Sequence, residues 1–478
     1  MTTCLKPIWA TVVAAALLSG CSTLSAINPF DGGDGPDQGD VAGSERRISI
    51  LELNDTLRVG GSVTPDQIVL PPAYVNTDWP QVGGNVAHVV QHTGASGPLQ
   101  KIWSKDVGDG SDRKGFIAAP PIVADGIIYV FDADSTVRAF NEGSGSRIWD
   151  FKVEISESER TRTKGTSIID RIRDPQSFLD GSGRDKDGVG GGLAYDNGVL
   201  YVSSGLGVLT ALDAKTGAEI WRKGIRVPLH SAPTVADGRV YAITDDNEIM
   251  AFDANDNGAI LWTYQGIVET ARMLTVPAPA VQNEVVIAPF SSGEVVALRA
   301  QNGGVLWQDA LASSTRLTPL AALNDIAFGP VIADGYVIAT AQSGVMTAFD
   351  FRTGQRVWSQ PAGSIGMPWV AGDFVFTVTT DSKVAALSKI DGSVIWLQQL
   401  ETFKNPQKRK GRIVWSGPVL AGERLVVASS RGRMMILNPY DGSIIEERKI
   451  GDAVMVPPII ANETVYLLND KAKLIALR

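Results

Sequence analysis

The chain offers little that could do chemistry, and what there is lies in a few places. His88-Val-Val-Gln-His92 sets two imidazoles at i and i+4, the spacing that pairs two metal ligands on one face of a helix. The Glu of H-E-x-x-H and a third ligand are both missing, so no metal is expected there. His230 is the only other histidine and precedes a strand, where a structural role is expected. Asp185, Asp187, Gly190 and Asp196 fall at positions one, three, six and twelve of a calcium-loop pattern. Val189 and Leu193 stand where oxygen ligands belong at five and nine, which argues against calcium. Asp245-Asp246 sits in a turn, where aspartate is favoured for its own reasons. There is no glycine-rich phosphate loop, G-x-S-x-G elbow or Cys-His pairing, so no catalytic residue and no cofactor is assigned.

The two cysteines are informative by position. Cys4 and Cys21 both lie in MTTCLKPIWATVVAAALLSGCST, where Lys6 precedes an apolar run, Ile8 to Leu18, too short to span a bilayer. The run ends in Leu18-Ser19-Gly20-Cys21, which looks like a bacterial lipobox, where the Cys21 thiol is diacylated and cleavage frees its amine for a third chain. Two or more acyl chains suffice for stable anchoring. Ser22, rather than Asp, follows the cysteine and resembles an outer-membrane sorting signal. The expected organisation is a signal peptide at 1–20, a lipid-anchored flexible tether at 21–75 and a folded body at 76–478. AINPFDGGDGPDQGDVAGSE (26–45) is too rich in Gly, Asp and Pro to bury a face, and RRISILEL (46–53) reads as a short strand or helix on the body.

The body is a repeat. In SAPTVADGRVYAITDDNEIMAFDANDNGAILW (231–262), an Asp-Gly turn, two alternating strands and a second turn lead to a strand carrying Trp. Similar sentences begin at 118, 191, 277, 329, 366 and 416. The tryptophans at 221, 262, 307, 358 and 396 are spaced by 41, 45, 51 and 38 residues, a propeller-blade period. The last unit, 456–478, has three strands, and GPLQKIWSKDV (97–107) supplies the missing fourth. The expected fold is all-β: an eight-bladed β-propeller of four-stranded antiparallel blades, closed by pairing of N- and C-terminal strands. Residues 152–189 lack the repeat and form the longest insertion. The 50 glycines suit several tight turns per blade, and a net charge of −9 argues against nucleic acid, which would call for a basic face.

Trp103, Trp149, Trp221, Trp262, Trp307, Trp358 and Trp396 recur too regularly to mark one site; the expected role is blade docking, each indole N–H held by backbone. Ala211-Leu-Asp213, Gly217 and Trp221 spell A-x-D-x-x-x-G-x-x-x-W, which resembles the pyrroloquinoline-quinone (PQQ) enzyme repeat. NTDWPQVGGNVAHVV (76–90) resembles the entry segment of such propellers. Two families share the repeat. Quinoprotein dehydrogenases are longer, and many carry vicinal cysteines beside the quinone. The lipobox, short tether and eight bare blades are instead similar to the BamB family of outer-membrane barrel-assembly lipoproteins. That resemblance implies a non-enzymatic scaffold on the periplasmic side of the outer membrane. Its implied partners are the periplasmic (POTRA) domains of BamA, other lipoproteins of the assembly machinery and nascent outer-membrane barrels. It further implies contacts at Arg272, Met273 and Leu274 in TARMLTVPAP and at Asp325 in NDIAFGP, where Ala327 stands in place of a second Asp. A PQQ-dependent dehydrogenase and a generic peptide-binding propeller are the alternatives.

Overall fold

In a computed structural model the described residues are 57–60, 64–112, 115–155, 190–225, 227–269, 275–311 and 324–478, all within one compact unit spanning 55–478. They form eight four-stranded antiparallel sheets, seven of them in simple sequential order, plus one two-stranded hairpin. Blades 1 to 7 span 122–152, 191–224, 234–265, 280–310, 331–360, 369–399 and 415–449. Blade 8 combines Ile459–Ala461, Thr464–Leu468 and Lys473–Leu477 with Lys101–Asp106, whose Ser104 pairs with Ile475. The N-terminal strand therefore closes the ring, as expected. A closed ring leaves no sheet face without a neighbour to bury it.

Each blade follows from local chemistry. Between Thr234–Ala236 and Arg239–Ile243, Asp237 and Gly238 have φ of 50° and 72°. Two successive positive φ values make the turn whose twist matches that of paired strands. The second and third strands are buried on both faces, as in Val240 to Ile243 and Ile249 to Phe252, because each blade is sandwiched between two others. Fourth strands alternate buried and exposed residues around the outside of the ring.

The repeat motif now has a physical account. In blade 2, Trp221 pairs across the sheet with Ala211, and a register shift beside that pair leaves Ile220 as the bulged residue. The small alanine gives the indole room. Asp213 accepts hydrogen bonds from the Thr216 backbone N–H and hydroxyl at 2.8 and 2.7 Å, closing the turn. These bonds, the hydroxyl's first, hold the Asp213 carboxyl below its ordinary pKa. Gly217 has φ of 74°, and a Cβ on it would lie 2.6 Å from the Trp149 ring of blade 1. Glycine is required there twice over, for the dihedral and for the approach.

The expected boundaries shift in one place. Residues 57–60 and 64–75, assigned to the tether, are seated on the ring: Leu57 and Ile68 are buried, and Gly60 bridges Val394 of blade 6. Isolated apolar residues in a polar stretch anchor it. Residues 21–56 of the tether, RRISILEL included, lie outside the described residues, as do 156–189 of the insertion.

Candidate functional site

The indoles link neighbouring blades. Trp149, Trp221, Trp262, Trp307, Trp358 and Trp396 each donate Nε1–H to a carbonyl of the next blade. The acceptors are Ala214, Ala254, Ala300, Phe351, Lys389 and Pro439, at 2.7 to 3.2 Å. Trp103 packs on Tyr466 of its own blade and under Gly145 of blade 1, but its Nε1 has no hydrogen-bond partner. An indole spent on this contact has no face left for a stacked ligand.

The axis of the ring holds the segment that the sequence marked as an entry. Residues 76–93 pass the inner strands of all eight blades in order. The Asn76 carbonyl accepts from Asn462 N of blade 8 at 2.8 Å, and Trp79 exchanges backbone bonds with Val123 of blade 1 at 2.7 and 2.9 Å. Pro80 O accepts from Tyr195 N of blade 2 at 2.8 Å, and Gln81 Oε1 from Val235 N of blade 3 at 3.0 Å. Val86 and Ala87 carbonyls accept from Val281 of blade 4 and Ile332 of blade 5 at 2.6 and 2.9 Å. Gln91 O accepts from Trp369 Nε1 of blade 6 at 2.8 Å, and Thr93 O from Gly422 N of blade 7 at 2.8 Å. The strap thus satisfies edge groups that inner strands would otherwise leave bare.

It also fills the channel. Trp79, His88, Phe328, Trp369, Val419 and Ile459 help to line a cavity of about 40 Å³. On the scale where a water needs about 10–15 Å³, that is room for roughly three waters. No vicinal cysteines of the kind that flank a bound quinone line the channel.

His88 and His92 are not a metal pair. Neither lies on a helix, and His88 has φ of 60°. His88 Nδ1–H donates to the Pro330 carbonyl at 2.7 Å, while burial pushes its pKa down to about 4 and keeps it neutral. The His92 ring lies 2.7 Å from Pro71 O through Nδ1 and 3.0 Å from Gly422 O through Nε2. Both rings brace the strap. His230 is buried at the entrance to blade 3, with Nδ1 3.6 Å from Asp245. Asp196 ends the first strand of blade 2, and Asp185 and Asp187 lie outside the described residues. Among the described residues no three His, Cys, Asp or Glu side chains converge to hold a metal.

A sequence model for the family described as outer membrane protein assembly factor BamB matches residues 67–184 and 180–398. The chain belongs to the BamB family. A BamB of Moranella endobia is 26% identical over 372 residues, covering 77% of this chain and 87% of the relative. The crystal structure of BamB from Moraxella catarrhalis superposes with a TM-score of 0.61 at 20% identity, over 80% of this chain and 99% of that one. A europium-containing methanol dehydrogenase gives the same TM-score at 14% identity, over 82% of this chain and 89% of that one. The fold is thus common to assembly factors and dehydrogenases, while the sequence sides with BamB.

The BamB contact residues expected from the resemblance fare unequally. Arg272, Met273 and Leu274 lie outside the described residues, in the link between blades 3 and 4, and so does the lipidation residue Cys21. Asp325, between blades 4 and 5, is described and is only 3% exposed, so it does not present a carboxylate on the surface as expected. Its backbone carbonyl accepts from Gln342 N at 2.9 Å, tying the link to blade 5. The strap's circuit was missed by sequence reasoning, because residues 76–93 carry no repeat and no alternation. Only its polar and aromatic content, Asn76, Trp79, Gln81 and Gln91, hinted at buried partners.

Proposed function

We propose that this chain is a non-catalytic lipoprotein scaffold of the outer-membrane barrel-assembly machinery. It is held by acyl chains on Cys21 at the periplasmic face of the outer membrane and docks on the POTRA domains of BamA. The observation that carries this is the family match across residues 67–398. The axial strap supports it, since a channel already occupied by the chain favours a binding surface over an active site. In a meander blade, the second-to-third turns and the links between blades share one end of the ring. By chain position Arg272, Met273, Leu274 and Asp325 belong to such links, and long connections on a rigid scaffold are where partners bind. Other assembly lipoproteins and nascent barrels are the further partners of this reading.

Capture of BamA's periplasmic fragment tests it. Arg272→Glu should weaken capture at least tenfold, because charge reversal adds repulsion to a lost contact. Asp325→Arg is a poorer probe: a buried carboxylate replaced by a cation should unfold the link. Cys21→Ser should abolish palmitate labelling and release the protein from membranes. If wild-type protein captures no BamA fragment at tens of micromolar yet oxidises an alcohol once PQQ is supplied, the dehydrogenase alternative stands and the scaffold reading falls.

A further inference from the structure

One element has no place in the blade plan. The link from blade 6 to blade 7 rises into a two-stranded hairpin, Phe403–Asn405 with Lys410–Arg412, joined by a turn at 406–409. Its ten residues, FKNPQKRKGR, hold Lys404, Lys408, Arg409, Lys410 and Arg412 and no acid, in a chain whose net charge is −9. All five cations are exposed, and among the described residues none has an acidic partner. The nearest acid in sequence, Glu401, is taken by Arg433. The match to the BamB family model ends at residue 398, just before the hairpin.

The hairpin is built rather than frayed. Gln399 Nε2 donates to the carbonyls of Asp381 and Ser382 at 3.1 Å and of Leu400 at 2.9 Å, fixing its root. Ile413 N donates to Thr402 O at 2.8 Å, and Arg412 to Thr380 O. Lys408 N caps on Asn405 Oδ1 at 3.0 Å, and the Arg409 guanidinium lies 5.9 Å from the Phe403 ring centroid. Ordering five like charges costs free energy, so their alignment calls for a counter-charge from outside the chain.

The path of the N-terminal segment points to which counter-charge. Gly60 bridges Val394 antiparallel, and Leu57 packs in the cluster that holds Val394 and Leu397. Going back from Gly60 to Leu57 therefore runs along Val394–Gln399 toward the hairpin's root. The chain enters the ring at the blade and the end from which the cations project. We propose that the 403–412 hairpin is a docking surface for anionic phospholipid headgroups, a second membrane contact beside the acyl anchor. This rests on the lipoprotein reading above. Acyl chains and a basic cluster are the two-signal arrangement by which peripheral proteins hold a membrane.

The test uses anchor-free protein carrying Cys21→Ser, so it does not depend on acylation or on BamA. Its sedimentation with phosphatidylcholine vesicles containing roughly 30% phosphatidylglycerol should fall steeply with salt, and pure phosphatidylcholine vesicles should not bind. Lys408→Gln/Arg409→Gln/Lys410→Gln should lower partition roughly a hundredfold, since each basic residue near an anionic surface contributes about a fivefold factor. Its melting temperature should match that of its parent, because the three side chains are exposed. Equal binding by the triple variant, or no preference for anionic vesicles, overturns the proposal; an acidic protein partner is then the occupant to seek. Loss of palmitate labelling alone would remove the anchor and leave the vesicle result standing.

Discussion

The junctions from blade 1 through blade 7 differ from the seam between blades 7 and 8. Each of the first six is held by an indole that crosses to the next blade under a glycine. Blade 7 has no such tryptophan: Glu446 occupies the place opposite Ile436, and Ile444 and Ile445 are exposed. There polar bonds take the indole's place beside a hydrophobic core that blades 7 and 8 share. Arg448 donates to Leu99 O, and Arg424 Nη2 to the carbonyls of Ala95 and Gly97 at 2.6 and 2.7 Å. The difference follows from what lies across the seam. A Trp can dock only on a neighbour with the repeat's own glycine turn. Beyond blade 7 the outer strand arrives from the other end of the chain, and guanidinium groups gather its approach segment instead. Closure is thus a long-range event in which directional bonds supplement a shared hydrophobic core, whereas the inner junctions repeat one indole contact.

The largest expected effect comes from removing the closing strand. Deleting 97–107 strips blade 8 of its outer strand, removes the Leu99 acceptor of Arg448 and removes one of the two acceptors of Arg424. Urea melts should show early loss of the C-terminal blade, and a single wild-type transition would refute the closure account. Next is Trp262→Ala, which removes an indole 8% exposed and bonded to Ala300 O at 2.8 Å. The expected loss is about 3–5 kcal/mol, read from the shift in urea midpoint. Arg448→Ala at the seam should cost less, about 1–2 kcal/mol, because a water can replace part of a charged hydrogen bond near the surface. If it equals Trp262→Ala, the seam is no weaker than an indole junction.

The smallest effect tests a polar bond between ordinary blades. Arg356 of blade 5 grips Asp309 of blade 4 through Nε at 2.7 Å and Nη2 at 2.9 Å. That bond, more than any other cause, holds the Asp309 carboxyl below its usual 3.8. A depressed folded pKa means the unfolded chain binds the proton first. The stabilisation is therefore present above the ordinary carboxylate value and is lost as pH falls through the folded one. Because the pair is partly exposed, the difference should be about 0.5 kcal/mol. Arg356→Gln should flatten the stability slope of this pair below pH 4 without moving stability at pH 7 by more than that.

Legibility tracked locality. Trp221, Gly217, Asp213 and Ala211 act within one blade or on the next, at fixed spacing, so repetition exposed them. Residue 97 onward was legible as a strand because it copies the Ile-Trp signature. The strap was not, since each of its residues answers to a different blade and no period results. Nor was the burial of Asp325, in a link that carries no repeat. His88 and His92, where no metal was expected, show the same limit: a spacing of four says helix only if the backbone turns that way, and here the rings follow carbonyls distant in sequence.

By itself the sequence determined the blade, its count and the strand that closes the ring, because each rests on alternation, turn chemistry and a four-residue motif that neighbours share. It also carried the family. Tertiary structure alone decided that the strap occupies the channel, that arginine bonds replace the indole at the seam beside blade 7, and that five exposed cations stand together with no acidic partner among the described residues where the N-terminal segment meets the ring. Those are matters of which distant residues come face to face, and a periodic sequence is silent wherever its period breaks.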